Sequence, residues 1–235
     1  ADGTNQLDSQ SIKFDFGEAG TLTFAGHGGS SAMSAKDDVM PSASEEPWDV
    51  LTGAETNVVG GTAGNDMFTY SYSHDSGFTV VASYINANAA ETAVSYNDYA
   101  IEYTGIDGLR LGYAAGTTEI TAGTEIDEDT MFATYAMGGL TVGIQVSEAD
   151  STAVNADTES TGFGVSYQVS DDLAVSYGNH EIDYATNDDQ EAYAIGVSYT
   201  MGSIGLSGTF NSVDNVSNVN ATDLQSYELG VSFAF

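Results

Sequence analysis

Residues 226–235 read Ser226-Tyr227-Glu228-Leu229-Gly230-Val231-Ser232-Phe233-Ala234-Phe235. Every odd position is apolar or aromatic, and every even position is small or polar. Side chains alternate between the two faces of a strand, so this segment is a strand with one greasy face and one polar face. The same period of two recurs upstream. Ile12, Phe14 and Phe16 alternate with Ser11, Lys13 and Asp15, and Leu140, Val142, Ile144 and Val146 alternate with Thr141, Gly143, Gln145 and Ser147. Phe163, Val165, Tyr167 and Val169 repeat the pattern, as do Tyr193, Ile195, Val197 and Tyr199.

Working outward, the pattern predicts thirteen strands, at about 10–17, 20–27, 66–74, 77–85, 95–104, 109–117, 129–138, 140–149, 160–169, 173–183, 191–201, 203–212 and 225–235. Tight connections such as Gly105-Ile106-Asp107-Gly108 and Gly138-Gly139 carry hairpin chemistry. They alternate with longer loops rich in Asp, Asn, Thr and Ala. Short and long connections in alternation describe an up-and-down antiparallel sheet whose two ends face different surroundings. The longest connection, residues 28–65, holds both prolines (Pro41, Pro47) and the only tryptophan, Trp48. With Trp48, Val50, Leu51, Val58 and Val59 as apolar anchors it is expected to pack, and a loop of that length is usually functional.

The chain has 235 residues, 3 Lys+Arg against 35 Asp+Glu, and a formal net charge of −32. That balance excludes binding to nucleic acid or to an acidic membrane surface through a basic patch. The absence of Cys excludes disulfides, thiolate catalysis and Cys-ligated zinc. Disorder is disfavoured by 41% hydrophobic and 11% aromatic content. No stretch approaches the roughly 18 apolar residues of a transmembrane helix, and the chain does not open on the basic and apolar regions of a signal peptide.

The chemistry of the two faces separates a membrane barrel from a soluble sandwich. The polar face is Gly, Ser, Ala, Thr and Gln with few charges. The apolar face is aromatic towards strand ends, at Phe68, Tyr70, Tyr72, Tyr84, Tyr99, Tyr103, Tyr113, Tyr135, Tyr227, Phe233 and Phe235. Such girdles, with aliphatics between them, mark the lipid face of a transmembrane barrel. Closure removes every edge, which lipid requires, and more than about eight strands leave a lumen that side chains alone do not fill. The expected fold is all-β, one antiparallel up-and-down transmembrane β-barrel over residues 1–235.

With strands and loops placed, the chain resembles the Gram-negative general porins, most closely the trimeric alphaproteobacterial (Rhodobacter-type) porins. The resemblance rests on the C-terminal strand ending in Phe235, and on Phe14-Asp15-Phe16-Gly17-Glu18-Ala19-Gly20-Thr21-Leu22-Thr23-Phe24-Ala25-Gly26-His27 followed by the long acidic loop. It implies that Tyr227, Leu229, Val231, Phe233 and Phe235 form the outer-membrane assembly signal. It also implies that residues 28–65 fold into the barrel as the pore-constricting loop. In the sixteen-stranded family barrel that loop follows the fifth strand. Here it follows the second, so about three N-terminal strands are expected to be missing. The resemblance further implies a homotrimer in the bacterial outer membrane, in contact with lipid and lipopolysaccharide, passing small hydrophilic solutes and ions.

Alternation places Lys13, Asp15, Asp98, Glu102 and Arg110 in the lumen. The long loop adds Lys36, Asp37, Asp38, Glu45, Glu46, Asp49 and Glu55. In the family an acidic loop faces a basic cluster. Lys13 and Arg110 are a small counterpart, which predicts a cation-preferring pore or a basic wall elsewhere. No catalytic motif is present, and the expected chain is not an enzyme. Asn179-His180 is a weak hint of barrel hydrolases without a marked serine, and His27, His74 and His180 lie far apart. No cofactor is expected, although Asp37-Asp38, Glu45-Glu46, Asp127-Glu128-Asp129 and Asp188-Asp189 could hold Ca²⁺. The other function class is a surface receptor, adhesin or coat protein using loops 86–94, 118–128, 150–159, 184–190 and 213–224.

Overall fold

The computed structural model describes residues 10–47, 51, 54, 58–64, 66–86, 95–121, 124–186, 188–216, 219–220 and 222–234. Its strands are β1 (Gln10–Asp15), β2 (Thr21–His27), β3 (Gly29–Ser30), β4 (Ala63–Gly64), β5 (Met67–Ser73), β6 (Phe78–Ile85), β7 (Ser95–Ile106) and β8 (Leu109–Thr121). They continue as β9 (Thr124–Met137), β10 (Leu140–Ser151), β11 (Thr158–Ser170), β12 (Leu173–Tyr184), β13 (Gln190–Met201), β14 (Ile204–Asp214) and β15 (Leu224–Phe233). Thirteen of them form one sheet in chain order, each antiparallel to the next, with β1 and β15 at its edges. β3 and β4 pair separately. Single 3₁₀ turns lie at Gly17–Ala19 and Met33–Ala35.

Each expected strand between residues 10 and 234 is present. At the short-loop end, two-residue turns join Ile106 to Leu109, Met137 to Leu140 and Met201 to Ile204. Gly108 shows why glycine is needed there: its φ is 74°, and a Cβ would sit 2.2 Å from the carbonyl oxygen of Ala136.

One expectation is corrected. Of the expected loop 118–128, residues 118–121 and 124–128 are strand. β8 and β9 stay paired up to Thr121 opposite Thr124, and the Thr117 hydroxyl donates to Asp127 at 2.7 Å. Threonines sustain this stretch without apolar alternation, because β-branched side chains favour the extended backbone even where both faces are wet.

The two faces differ as alternation requires. Ile12, Phe14, Phe68, Tyr99, Ile101, Met131, Tyr135, Ile144, Phe163, Ile195 and Phe233 all stand exposed on one face. So wide an apolar face is a liability in water and a gain in lipid. The opposite face carries the buried residues, in two small clusters. Ala32, Met33 and Val59 pack on Ala100 and Ala114, flanked by Val58 and Val81. Ala192, Val213 and Val216 pack with Leu51 and Ala54. Both clusters join the long loop to the wall, so the core of this molecule is the seam between loop and sheet.

Candidate functional site

The long loop leaves β2 through a neck. Gly29 and Ser30 pair with Gly64 and Ala63, the Ser31 amide donates to the Thr62 carbonyl at 2.9 Å, and the Thr62 amide donates to Ser31 Oγ at 3.0 Å. From the neck the chain crosses the small-residue face strand by strand. The Ala32 amide donates to Ser83 Oγ on β6 at 2.9 Å, and the Met33 amide to Asp98 Oδ2 on β7 at 2.7 Å. Gln145 on β10 donates through Nε2 to the carbonyls of Lys36 at 2.7 Å and Asp37 at 3.2 Å, and accepts from the Val39 amide. The Ala43 amide donates to Ser176 Oγ on β12 at 2.8 Å. Asn211 on β14 donates to the carbonyls of Glu46 at 2.7 Å and Pro47 at 3.1 Å.

Glycines make room for this belt. Gly143, Gly164, Gly178, Ala194 and Asn211 are paired neighbours in one row across β10 to β14. A Cβ on Gly143 or Gly164 would lie 2.7 or 2.9 Å from the Pro41 ring, and one on Gly178 2.9 Å from Pro47. The small face reads as space left for a loop. At these anchors the wall grips main-chain amides and carbonyls rather than charged side chains.

Those charges have a definite arrangement. Lys36 from the loop and Arg110 from β8 both pair with one carboxylate, Glu102 on β7, with Arg110 at 3.0 Å. Arg110 also lies over the Phe132 ring at 4.7 Å. Lys13, Thr23, Thr69, Ser83 and Asp98 form one paired row, so Lys13 stands about 19 Å from Asp98, four strand spacings away. Asp37 is half-buried and Asp38 exposed. Loss of water around Asp37 raises its carboxyl above the ordinary aspartate range, opposed by backbone hydrogen bonds at Asp37 and Asp38.

The expected site residues thus divide. Asp98, Glu102, Arg110, Lys36 and the loop acids Asp37, Asp38, Glu45 and Glu46 are brought to one face. Lys13 and Asp15 share that face but sit on exposed β1, and Asp15 accepts from the Gly17 amide at 2.9 Å in the first turn. They are not part of the Glu102 cluster. Asp49, Glu55 and Phe235 lie outside the described residues, as do Trp48 and Val50. Tyr227, Leu229, Val231 and Phe233 stand exposed on the apolar face of β15. Sequence reading missed the loop's anchors, Ser83, Gln145, Ser176 and Asn211. An amide inside a Gly/Ser/Thr face, as at Gln145 and Asn211, was the available signal.

Two chemical ideas lose their geometry. Asn179 and His180 point to opposite faces: Asn179 donates to the Ala192 carbonyl, while His180 is buried under the loop. Alternation also splits Asp127-Glu128-Asp129, with Glu128 on the loop's face and its neighbours on the other. Among the described residues no group of three or more His, Cys, Asp or Glu is placed to hold a metal ion.

The model of the Gram-negative porin family matches residues 6–235. No curated protein sequence matches the chain. Solved structures show the fold. A porin refined at 1.8 Å resolution aligns with a TM-score of 0.72 at 19% identity, over 93% of this chain and 79% of that one. OmpT, an outer-membrane protein of Vibrio cholerae, gives 0.69 at 16% identity, over 97% and 80%. An anion-selective porin from Comamonas acidovorans gives 0.69 at 16%, over 93% and 75%. A thirteen-stranded antiparallel sheet, one apolar face and a long loop laid on the other agree with the family match, and the chain belongs to the Gram-negative porins, the channel proteins of the bacterial outer membrane.

Proposed function

We propose that this porin is a cation-preferring diffusion channel for small hydrophilic solutes and ions, narrowed by the acidic loop 28–65. A neighbour of the same fold is anion-selective, so selectivity has to be read from side chains. The observation that carries the reading is the shared carboxylate. Two of the three basic residues of the chain are bound to Glu102, so among the described residues the basic charge on this face is small beside the loop acids. Asp98 and Glu128 add carboxylates to the same face. Fixed negative charge in a confined aqueous path concentrates cations and repels anions at low ionic strength, and screening weakens this as the Debye length falls to a few Å near 1 M salt.

The remaining roles follow the family. Tyr227, Leu229, Val231, Phe233 and Phe235 serve as the assembly signal, the apolar face meets lipid and lipopolysaccharide, and three copies pack as a homotrimer. The V. cholerae neighbour has been solved in a trimer form.

The test is the reversal potential of single channels in a planar bilayer across a tenfold KCl gradient. A cation-selective sign that declines when Asp37, Asp38, Glu45 and Glu46 are all neutralised supports the reading. An anion-selective sign, or no conductance, overturns it.

A further inference from the structure

On the outer face of the wall, away from the loop, three rows of paired residues run from apolar to acidic towards the long-loop end. The first is Ile101, Tyr113 and Met131, on β7, β8 and β9, and the second is Tyr99, Ala115 and Asp129. The third is Asn97, Thr117 and Asp127, which continues to Asp150 on β10. Ala115 is the small member of its row. Standing between a phenol ring and a carboxylate, it leaves a groove of about 260 Å³. The Tyr113 ring closes the apolar end, 6.1 Å from the Tyr99 ring and tilted 53° to it. Ile101 and Met131 stand exposed beyond it. Tyrosines on a lipid face settle at the level of the head groups. The groove therefore lies where a head group joins its acyl chains.

Charge at this level is not balanced within the chain. Asp129 is followed in its row by Glu148, Glu159 and Asp183, four carboxylates directly opposite one another on β9 to β12. Like charges in such positions destabilise a sheet. Of the three basic residues, Lys36 and Arg110 are bound to Glu102, and Lys13 is on the lumen face of β1. Asp127 accepts from the Thr117 hydroxyl, which supplies a hydrogen bond and no charge. Among the described residues these acids are not arranged to hold a metal ion. A larger, diffuse cation suits the groove. A quaternary ammonium has no N–H to satisfy, and the faces of aromatic rings attract it. An anionic head group would meet repulsion from Asp127, Asp129 and Asp150.

We propose that this groove binds a lipid whose head group carries a quaternary ammonium. The cation sits against the Tyr99 and Tyr113 rings beside Asp129, and the acyl chains run over Ile101 and Met131. The site rests on the apolar face meeting lipid, and it is independent of ion preference.

The folded full chain in detergent is titrated with phosphatidylcholine, phosphatidylethanolamine and phosphatidylglycerol of identical acyl chains, and bound lipid is counted by native mass spectrometry. The expected result is one phosphatidylcholine retained at least tenfold more tightly than phosphatidylglycerol, and more tightly than phosphatidylethanolamine. That preference is lost in Tyr99→Leu, Tyr113→Leu and Asp129→Asn, and kept in Tyr135→Leu, an aromatic change at the short-loop end. Circular dichroism and heat-modifiable electrophoretic mobility establish that each variant folds. Equal retention of all three lipids leaves the lipid face standing and overturns the site. Equal retention of the choline and ethanolamine lipids means that charge alone acts, and the quaternary-ammonium assignment fails. The site fails as well if folded Asp129→Asn and Tyr99→Leu keep the full preference. Absence of any bound lipid, together with failure to fold into vesicles, would instead count against the lipid face itself.

Discussion

The guanidinium of Arg110 lies 3.0 Å from the Glu102 carboxylate, and the ammonium of Lys36 shares the same oxygen. One acid on the wall thereby holds a loop residue and a wall residue together. The Glu102 side chain is 17% exposed. Hydrogen bonds to charged groups at such sites contribute about 1.5–3 kcal/mol each, and removing the shared partner leaves both cations without it.

Glu102→Gln is therefore expected to lower cation preference, because two positive charges are released towards the lumen while one negative charge is lost. It should also lower barrel stability by about 1–3 kcal/mol. Reversal potentials and denaturant titration in lipid measure the two effects separately.

Gln145 holds the loop through Lys36, Asp37 and Val39, and donates to the Thr130 hydroxyl on the neighbouring strand β9. Gln145→Ala removes these bonds and leaves loop carbonyls unsatisfied, at a cost of about 1–3 kcal/mol. Single-channel records are expected to show more open-channel noise and a changed mean conductance, with the β signature of the sheet retained.

Burial raises the Asp37 carboxyl above the ordinary aspartate range. A folded-state value above the unfolded one means that the protonated form favours the seated loop. This stabilisation is full below the unfolded value and is lost as pH rises through the folded one. Cation preference moves the other way: Asp37 discharges on acidification before an ordinary aspartate does. Asp37→Asn should abolish that early step in a pH series of reversal potentials.

Ile144 is 49% exposed, in the middle of β10, on the apolar face. Ile144→Arg places a charge towards the membrane interior, at a cost of about 2–4 kcal/mol. Folding into vesicles, followed by protease protection, should drop accordingly. Gln145→Ala, one residue away but facing the loop, should insert normally.

The contrast between Ile144 and Gln145 also marks what the sequence discloses. Alternation needs only local pattern, so Tyr227, Leu229, Val231 and Phe233 define a strand and its lipid face with no knowledge of partners. The loop was legible from its length and its two prolines, and the facing of Asp98, Glu102 and Arg110 from strand phase. The paired ends of β8 and β9, Thr117–Thr121 and Thr124–Asp127, were not, because a strand wet on both faces loses its apolar period. The anchors were hidden because Gln145, Ser176 and Asn211 resemble any polar residues of a lumen until a loop is laid on them. The convergence of Lys36, Glu102 and Arg110 depends on contacts across 66 and 8 positions of sequence, which spacing alone does not reveal. Lys13 shows the converse: it has the right face, but its place on β1 sets it four strands from Asp98.

The most direct test of an acidic loop in the current path uses Asp38, which is exposed, in a chain that contains no cysteine. Asp38→Cys channels in a planar bilayer are treated with methanethiosulfonate reagents of equal size and opposite charge. The account predicts that the cationic reagent reacts at least about tenfold faster at low salt, and that each modification lowers single-channel current in a discrete step. Equal reaction rates, or modification without any change in current, would contradict it.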